Sequence, residues 1–181
     1  QAPAQRMQVA SQPLCELAKE QGLKRIATAL DSDAAFETMP HLDGMPRDSG
    51  SWARVGGKGA AGNAAVVNDA WLRLGSRIAE LAALAVDEDA RTLSAGALQL
   101  DDGDGIGWVE MARGLLVHRA RTTDDGATIA DYRVMAPTEW NFHPQGLAAQ
   151  MIAQARDARD AAIAAAAFDP CVAFDVELMH A

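Results

Sequence analysis

The sequence predicts an α+β fold, and three observations carry that prediction. Apolar residues recur at helical spacing between 67 and 85. Two runs rich in β-branched and aromatic residues flank a Thr-Thr-Asp-Asp-Gly turn. The helical and extended segments do not alternate as they would in a parallel α/β sheet. The predicted order is helices, a hairpin, another helix and a last strand. At 181 residues, 49% of them hydrophobic, the chain can bury one core, so residues 1–181 are read as a single domain. A start at Gln1 rather than Met leaves open that it is a fragment of a longer protein.

Taken in order, residues 14–30 have helix-forming composition, with Gly22 as an interruption or cap, and predict one broken helix or two short ones. From Asp31 to Gly62 the density of Gly, Pro, Asp and Ser predicts a long loop of functional character. Val67, Trp71, Leu74, Ile78, Leu81 and Ala85 then follow steps of four and three, which makes a helix with one apolar stripe turned toward a packing partner. A further helix is expected over Asp87–Leu100, ended by the sequence DDGDGIG. That acidic run lacks the downstream bidentate Glu of a regular calcium loop and reads as a solvated turn. The runs WVEMARGLLVHRAR and ATIADYRVMAP predict two strands, the first bending near Arg113 and Gly114, joined by an Asp-Gly hairpin. Residues 147–167 read as one Ala-rich helix. The alternation of Val172, Phe174, Val176 and Leu178 with more polar neighbours predicts a terminal strand.

Composition excludes several classes of function. A net charge of −9, without a Lys/Arg run longer than a pair, leaves no electrostatic footprint for nucleic acid or an anionic membrane surface. No uncharged stretch reaches transmembrane length, and QAPAQRMQVA lacks the basic start and apolar core of a secretory leader, so a soluble protein is expected. Cys15 and Cys171 are the only cysteines. They cannot form a disulfide framework, nor an all-thiolate metal site from this chain alone, and a reduced cytoplasmic setting is expected. A Cys15–Cys171 bridge stays open.

Four stretches, RDSGSWAR, VEMARGLLVH, MAPTEWNFHP and FDPC, together resemble in kind and order the large subunit of nickel–iron hydrogenases over residues 45–181. The similarity is to that family's ETGxxAR segment, its glutamate-x-proline-arginine-glycine segment, its PTxWN loop and its terminal DPCxxCxxH motif. In the family, four thiolates from two CxxC pairs hold nickel, two of them bridging to an iron that carries cyanide and carbon monoxide, and soft sulfur ligands suit that metal pair. Carried over residue by residue, Cys171 matches the first terminal cysteine, Phe174 stands at the second and Glu177 at the metal-binding histidine. No N-terminal CxxC is visible either, so no nickel is expected. Arg113 and Asp169 match the arginine and carboxylate beside the family's active site, and Glu110 and His118 match positions flanking that arginine. Guanidinium donors suit cyanide nitrogens, which are good acceptors.

The pattern resembles the truncated, large-subunit-like accessory proteins of hydrogenase maturation, of HupK/HoxV type, whose chains end in FDPC without the second cysteine. The resemblance implies the C-terminal core of the nickel-dependent hydrogenase large-subunit fold. It implies a scaffold or chaperone, not an enzyme, for assembly or transfer of the iron–dicyanide–carbonyl unit. Cys171 is then the single metal ligand for a transient iron unit, with Arg113, Asp169, Glu110 and His118 around it. The implied partners are hydrogenase subunits and maturation proteins, among them a small HypC-like chaperone with an N-terminal cysteine. Plainer readings stand beside these. Cys171 is an inert buried thiol, Arg113 a structural ion pair with Glu110 or Asp169, and His118 a core or surface histidine, with His143 at the surface. Two other functional classes remain: a metal-free interaction protein assisting or protecting the hydrogenase, and a Cys-dependent hydrolase activated by a neighbouring base.

Overall fold

The structure, a computed structural model, describes residues 19–56, 69–86 and 93–177. It is a mixed α+β fold built around a four-stranded antiparallel sheet. Helix α1 (Glu20–Ser32) repeats Leu23, Ile26, Ala27 and Leu30 at three- and four-residue steps, and all four are buried. Gly22 sits in its first turn and does not interrupt it, because the helix starts only at Glu20. Residues 14–18 of the expected helix lie outside the described residues.

The segment after α1 is more ordered than a loop. Asp33 accepts a bond from the Ala35 amide, and a small hairpin joins β1 (His41–Leu42) to β2 (Met45–Pro46). Its turn residues Asp43 and Gly44 both have positive φ, 55° and 71°, the requirement of a two-residue hairpin turn. Trp52–Gly56 form one π-helical turn, and residues 57–62 of the expected loop are outside the described part.

The sheet runs β3 (Ala95–Asp101), β4 (Asp104–Met111), β5 (Gly114–Thr122) and β6 (Ile129–Met135), each paired antiparallel with the next. Two expectations are corrected here. Residues 95–100 are strand rather than helix, because Asp102-Gly103, with Gly103 at φ +68°, folds them back onto β4. The run WVEMARGLLVHRAR is two strands rather than one bent strand: Met111 pairs with Gly114 around Ala112-Arg113. Residues 87–92 of the expected second helix lie outside the described part. The Asp-Gly turn between β5 and β6 forms as predicted, closed by Thr123 and Thr128.

Short helices complete the chain: α3 (Pro137–Asn141), α4 (Leu147–Ala153) and α5 (Ala158–Ala166). The single Ala-rich helix expected over 147–167 is broken because Asp157 leaves helical geometry and caps α5, accepting from the Asp160 amide. The expected terminal strand is absent from the described residues. Residues 173–177 belong to no helix or strand and pair with none of the described strands, and Val172 and Phe174 are exposed.

The main core joins α1 to one sheet face: Leu23, Ile26 and Leu30 meet Ile106, Leu115, Val117 and Met135, closed by Phe36 and Trp140. A second cluster packs α4 against α5 through Leu147, Met151, Ala164 and Phe168. Helix α2 (Ala70–Val86) departs from expectation. Its buried residues are Arg73, Ser76 and Glu80, while Trp71, Leu74, Ile78 and Leu81 face solvent. The charged residues are drawn inward by ion-pair partners on other elements, so the apolar stripe faces out. Val67 is outside the described residues. Among the described residues, no helix is long and apolar enough to cross a membrane.

Candidate functional site

The four motif segments, far apart in sequence, meet in one region. Asn141 of α3 joins two of them: its Oδ1 accepts from the Ser49 amide at 2.9 Å and its Nδ2 donates to the Arg113 carbonyl at 3.0 Å. Ser49 Oγ in turn accepts from the Leu115 amide at 2.6 Å. The approach depends on glycine. A Cβ on Gly114, whose φ is +131°, would stand 2.1 Å from Ser49 Oγ.

The fourth segment is held by arginines from two elements. Arg113 Nε donates to the Asp169 carbonyl at 3.0 Å and lies 3.4 Å from its carboxylate. Arg77 of α2 reaches the same carboxylate at 3.4 Å and also donates to the carbonyls of Ala166 and Ala167, the open end of α5. Asp169 has φ +53°, a left-handed conformation that non-glycine residues adopt at some cost and that is uncommon before proline. Strain of this kind persists where surroundings over-determine it, and it clusters at functional sites.

Behind this surface lie buried ion pairs. Arg73 bonds Asp48 at 2.6 Å and its guanidinium lies 3.9 Å from the Phe168 ring centre. Burial lowers the Arg73 pKa while Asp48 opposes that shift. Arg54 holds Glu80 with two bonds of 2.7 Å, and Ser51 Oγ adds a third at 2.6 Å. Burial pushes Glu80 up, but the bonds from Arg54 and Ser51 outweigh it and leave the carboxyl below its ordinary value. Glu110 shows the opposite balance. Burial raises it, and Arg54, 3.9 Å away, only partly offsets this.

The residues singled out in the sequence therefore separate. Arg113, Asp169 and Cys171 share one surface. Glu110 turns to Arg54 and Ser94. His118 bonds the Tyr132 hydroxyl at 2.6 Å on the sheet. Of the two carboxylates offered to Arg113, it takes Asp169. Cys171 is exposed rather than buried and free, with its sulfur donating to Thr138 Oγ1 at 3.7 Å; Cys15 lies outside the described residues. His143 is buried, not at the surface, because its ring nitrogen accepts the Gln145 amide. Burial, with His41 nearby, lowers its pKa.

Arg73, Arg77, Glu80, Asp48 and Thr138 escaped the sequence reading. A legible signal existed for three of them: charges at 73, 77 and 80 recur at helical steps opposite the apolar stripe.

Chemically, the surface offers one thiol and one half-exposed guanidinium. Among the described residues, the two Nη groups of Arg113 donate to no protein atom, so they are available to an acceptor. No group of three or more His, Cys, Asp or Glu is placed to hold a metal among the described residues.

Relatives of the chain have the same kind of name. It is 40% identical to the hydrogenase expression/formation protein HoxV of Cupriavidus necator, over 96% of this chain and 49% of that protein. HupK of Bradyrhizobium diazoefficiens is 35% identical over 94% of this chain and 50% of that protein. The chain belongs to the HoxV/HupK hydrogenase expression/formation proteins. HupK of Rhizobium leguminosarum bv. viciae adds 34% identity over 86% of this chain and 45% of its own length. This HoxV/HupK chain thus spans about half the length of the curated relatives it matches. No family model matches it. No solved structure matches it.

Proposed function

We propose that this chain takes part in maturation of nickel–iron hydrogenase, as a scaffold that carries or presents the iron–dicyanide–carbonyl unit as cargo. The single observation that carries the reading is the convergence of all four motif segments on a surface where a free, exposed Cys171 lies beyond the Arg113–Asp169 pair. Cys171 supplies one thiolate to the iron. Arg113 turns its Nη donors toward the cyanide nitrogens, and Asp169 balances charge and fixes the guanidinium through Nε. The fold behind it is the C-terminal core of the hydrogenase large-subunit type.

One thiolate makes a labile site, which suits handover. The remaining ligands come from the docking partner, a small HypC-like maturation chaperone with its own cysteine, in the cytoplasm. The protein is not itself an enzyme. Thr138 is the side chain bonded to the Cys171 sulfur, and a hydroxyl is no general base, so the geometry offers little to the hydrolase reading.

A metal-free interaction protein is the second reading, favoured by the exposed apolar residues Trp71, Ile78 and Leu81 of α2. An infrared spectrum of protein purified without oxygen from cells expressing the maturation machinery separates the two. Metal-bound cyanide and carbonyl bands are expected, absent in Cys171→Ser. No bands from folded protein that co-purifies with a maturation partner would overturn the carrier reading and support the second.

A further inference from the structure

Helix α2 is amphipathic the wrong way round for a surface helix. Arg73, Arg77 and Glu80 face the protein, bonded to Asp48, Asp169 and Arg54, while Trp71 is 68% exposed, Ile78 60% and Leu81 69%. A monomer exposes single apolar side chains without consequence, but a contiguous stripe of this size marks an interface. Its spacing says what shape fits. Trp71, Leu74, Ile78, Leu81 and Ala85 follow steps of three and four, the seam against which another helix packs at a shallow crossing angle. Gly75 lies within that face, and a Cβ there would meet nothing within 4 Å, which leaves room for close approach.

Two occupants fit poorly. A membrane surface calls for basic residues along the edge of the apolar face, and both arginines of α2 point inward. A second copy would bring together two chains of charge −9. The chain covers about half of each relative, so the homologous protein has as much sequence again to place against it. We propose that the outer face of α2 is the seat of an amphipathic helix homologous to the half of the HoxV/HupK relatives that this chain does not span. The helix runs along the Trp71–Ala85 seam for about 22 Å, the length of 15 of the 17 residues of α2. This assignment rests on family membership and is independent of iron binding.

The test compares residues 1–181 alone with the same chain fused to the unmatched half of the Cupriavidus necator relative, placed in that protein's own order. Hydroxyl-radical footprinting is read by mass spectrometry at Trp71, Ile78 and Leu81, with fully buried Trp140 as the internal measure of folding. Oxidation at the three seam residues is expected to fall several-fold in the fusion. In Ile78→Asp/Leu81→Asp, oxidation at the remaining seam residue Trp71 should return to the level of the isolated chain, with Trp140 still protected. Seam residues as reactive in the fusion as in the isolated chain, while Trp140 is protected, would overturn the proposal. So would a homodimer of the 181-residue chain that the same double substitution abolishes, since that would make a second copy the occupant.

Discussion

Glu80→Leu is the perturbation that most directly tests how α2 is held. The carboxylate is buried and accepts three bonds of 2.6–2.7 Å, two from Arg54 and one from Ser51. Leucine keeps the volume and the helix propensity, so the change reads out charge rather than packing. Arg54 is then left buried with a backbone bond to Met111 and a carboxylate 3.9 Å away as its remaining partners. Removing one member of a buried pair costs roughly 3–5 kcal/mol. For a chain of this size, that is a fall in Tm of roughly 6–20 °C. Urea unfolding followed by far-UV circular dichroism measures it, with an unchanged m-value showing that the denatured state is the same. In Arg54→Met/Glu80→Leu the guanidinium is no longer stranded and Glu110 keeps its bond from Ser94, so most of the roughly 3–5 kcal/mol loss should return. A single substitution costing under about 1 kcal/mol, or a double that is worse than the single, would refute the account of a pair whose value lies in mutual compensation.

Three further outcomes follow from the site. Gly114→Ala places a methyl 2.1 Å from Ser49 Oγ at a φ that side chains avoid; the Leu115 amide, bonded to that oxygen, should exchange with solvent faster, and unchanged protection would count against the link. Asp169→Asn keeps a side chain tolerant of positive φ and removes only half-exposed ion pairs, so it should cost under about 1 kcal/mol. Asp169→Val should cost roughly 1–3 kcal/mol more in the same unfolding assay, because a β-branched residue strains there; equal losses would show that the backbone is not strained. Glu110 binds its proton more tightly folded than unfolded, so its contribution is fully present below pH 4.5 and declines as pH rises through the raised folded value. Stability curves of wild type and Glu110→Gln should therefore converge or cross as pH rises from 4.5, and parallel curves would contradict burial as the cause.

Much of the fold was legible where local chemistry decides it. The helix read from the composition of residues 14–30 formed over Glu20–Ser32, and the Asp-Gly hairpin signal at 125–126 formed as read, since helix-forming composition and turn residues act on near neighbours. Errors arose where a partner decides. Residues 95–100 have no clear period of their own and become strand only because β4 lies alongside. Residues 172–177 alternate correctly but have no neighbour to pair with. The motif segments could be read one by one, yet their joint is Asn141, whose side chain bonds two of them across 92 and 28 residues. Nothing in the sequence around Asn141 encodes that.

The two sides of α2 join the proposed helix seam to the proposed thiol surface. Arg77 reaches Asp169 and the end of α5, so the position of FDPC depends on where α2 lies. A helix bound on the outer face binds the ordered form of α2 and not its opened form, and so stabilises the ordered form by mass action. The amide of Asp169, bonded to the Ala166 carbonyl at 3.0 Å, reports this. It should exchange more slowly in the fused protein than in residues 1–181 alone, and Ile78→Asp/Leu81→Asp should restore the faster rate although neither side chain touches Asp169. Slower exchange that survives the double substitution would break the connection, leaving the seam and the thiol surface as independent features of one domain.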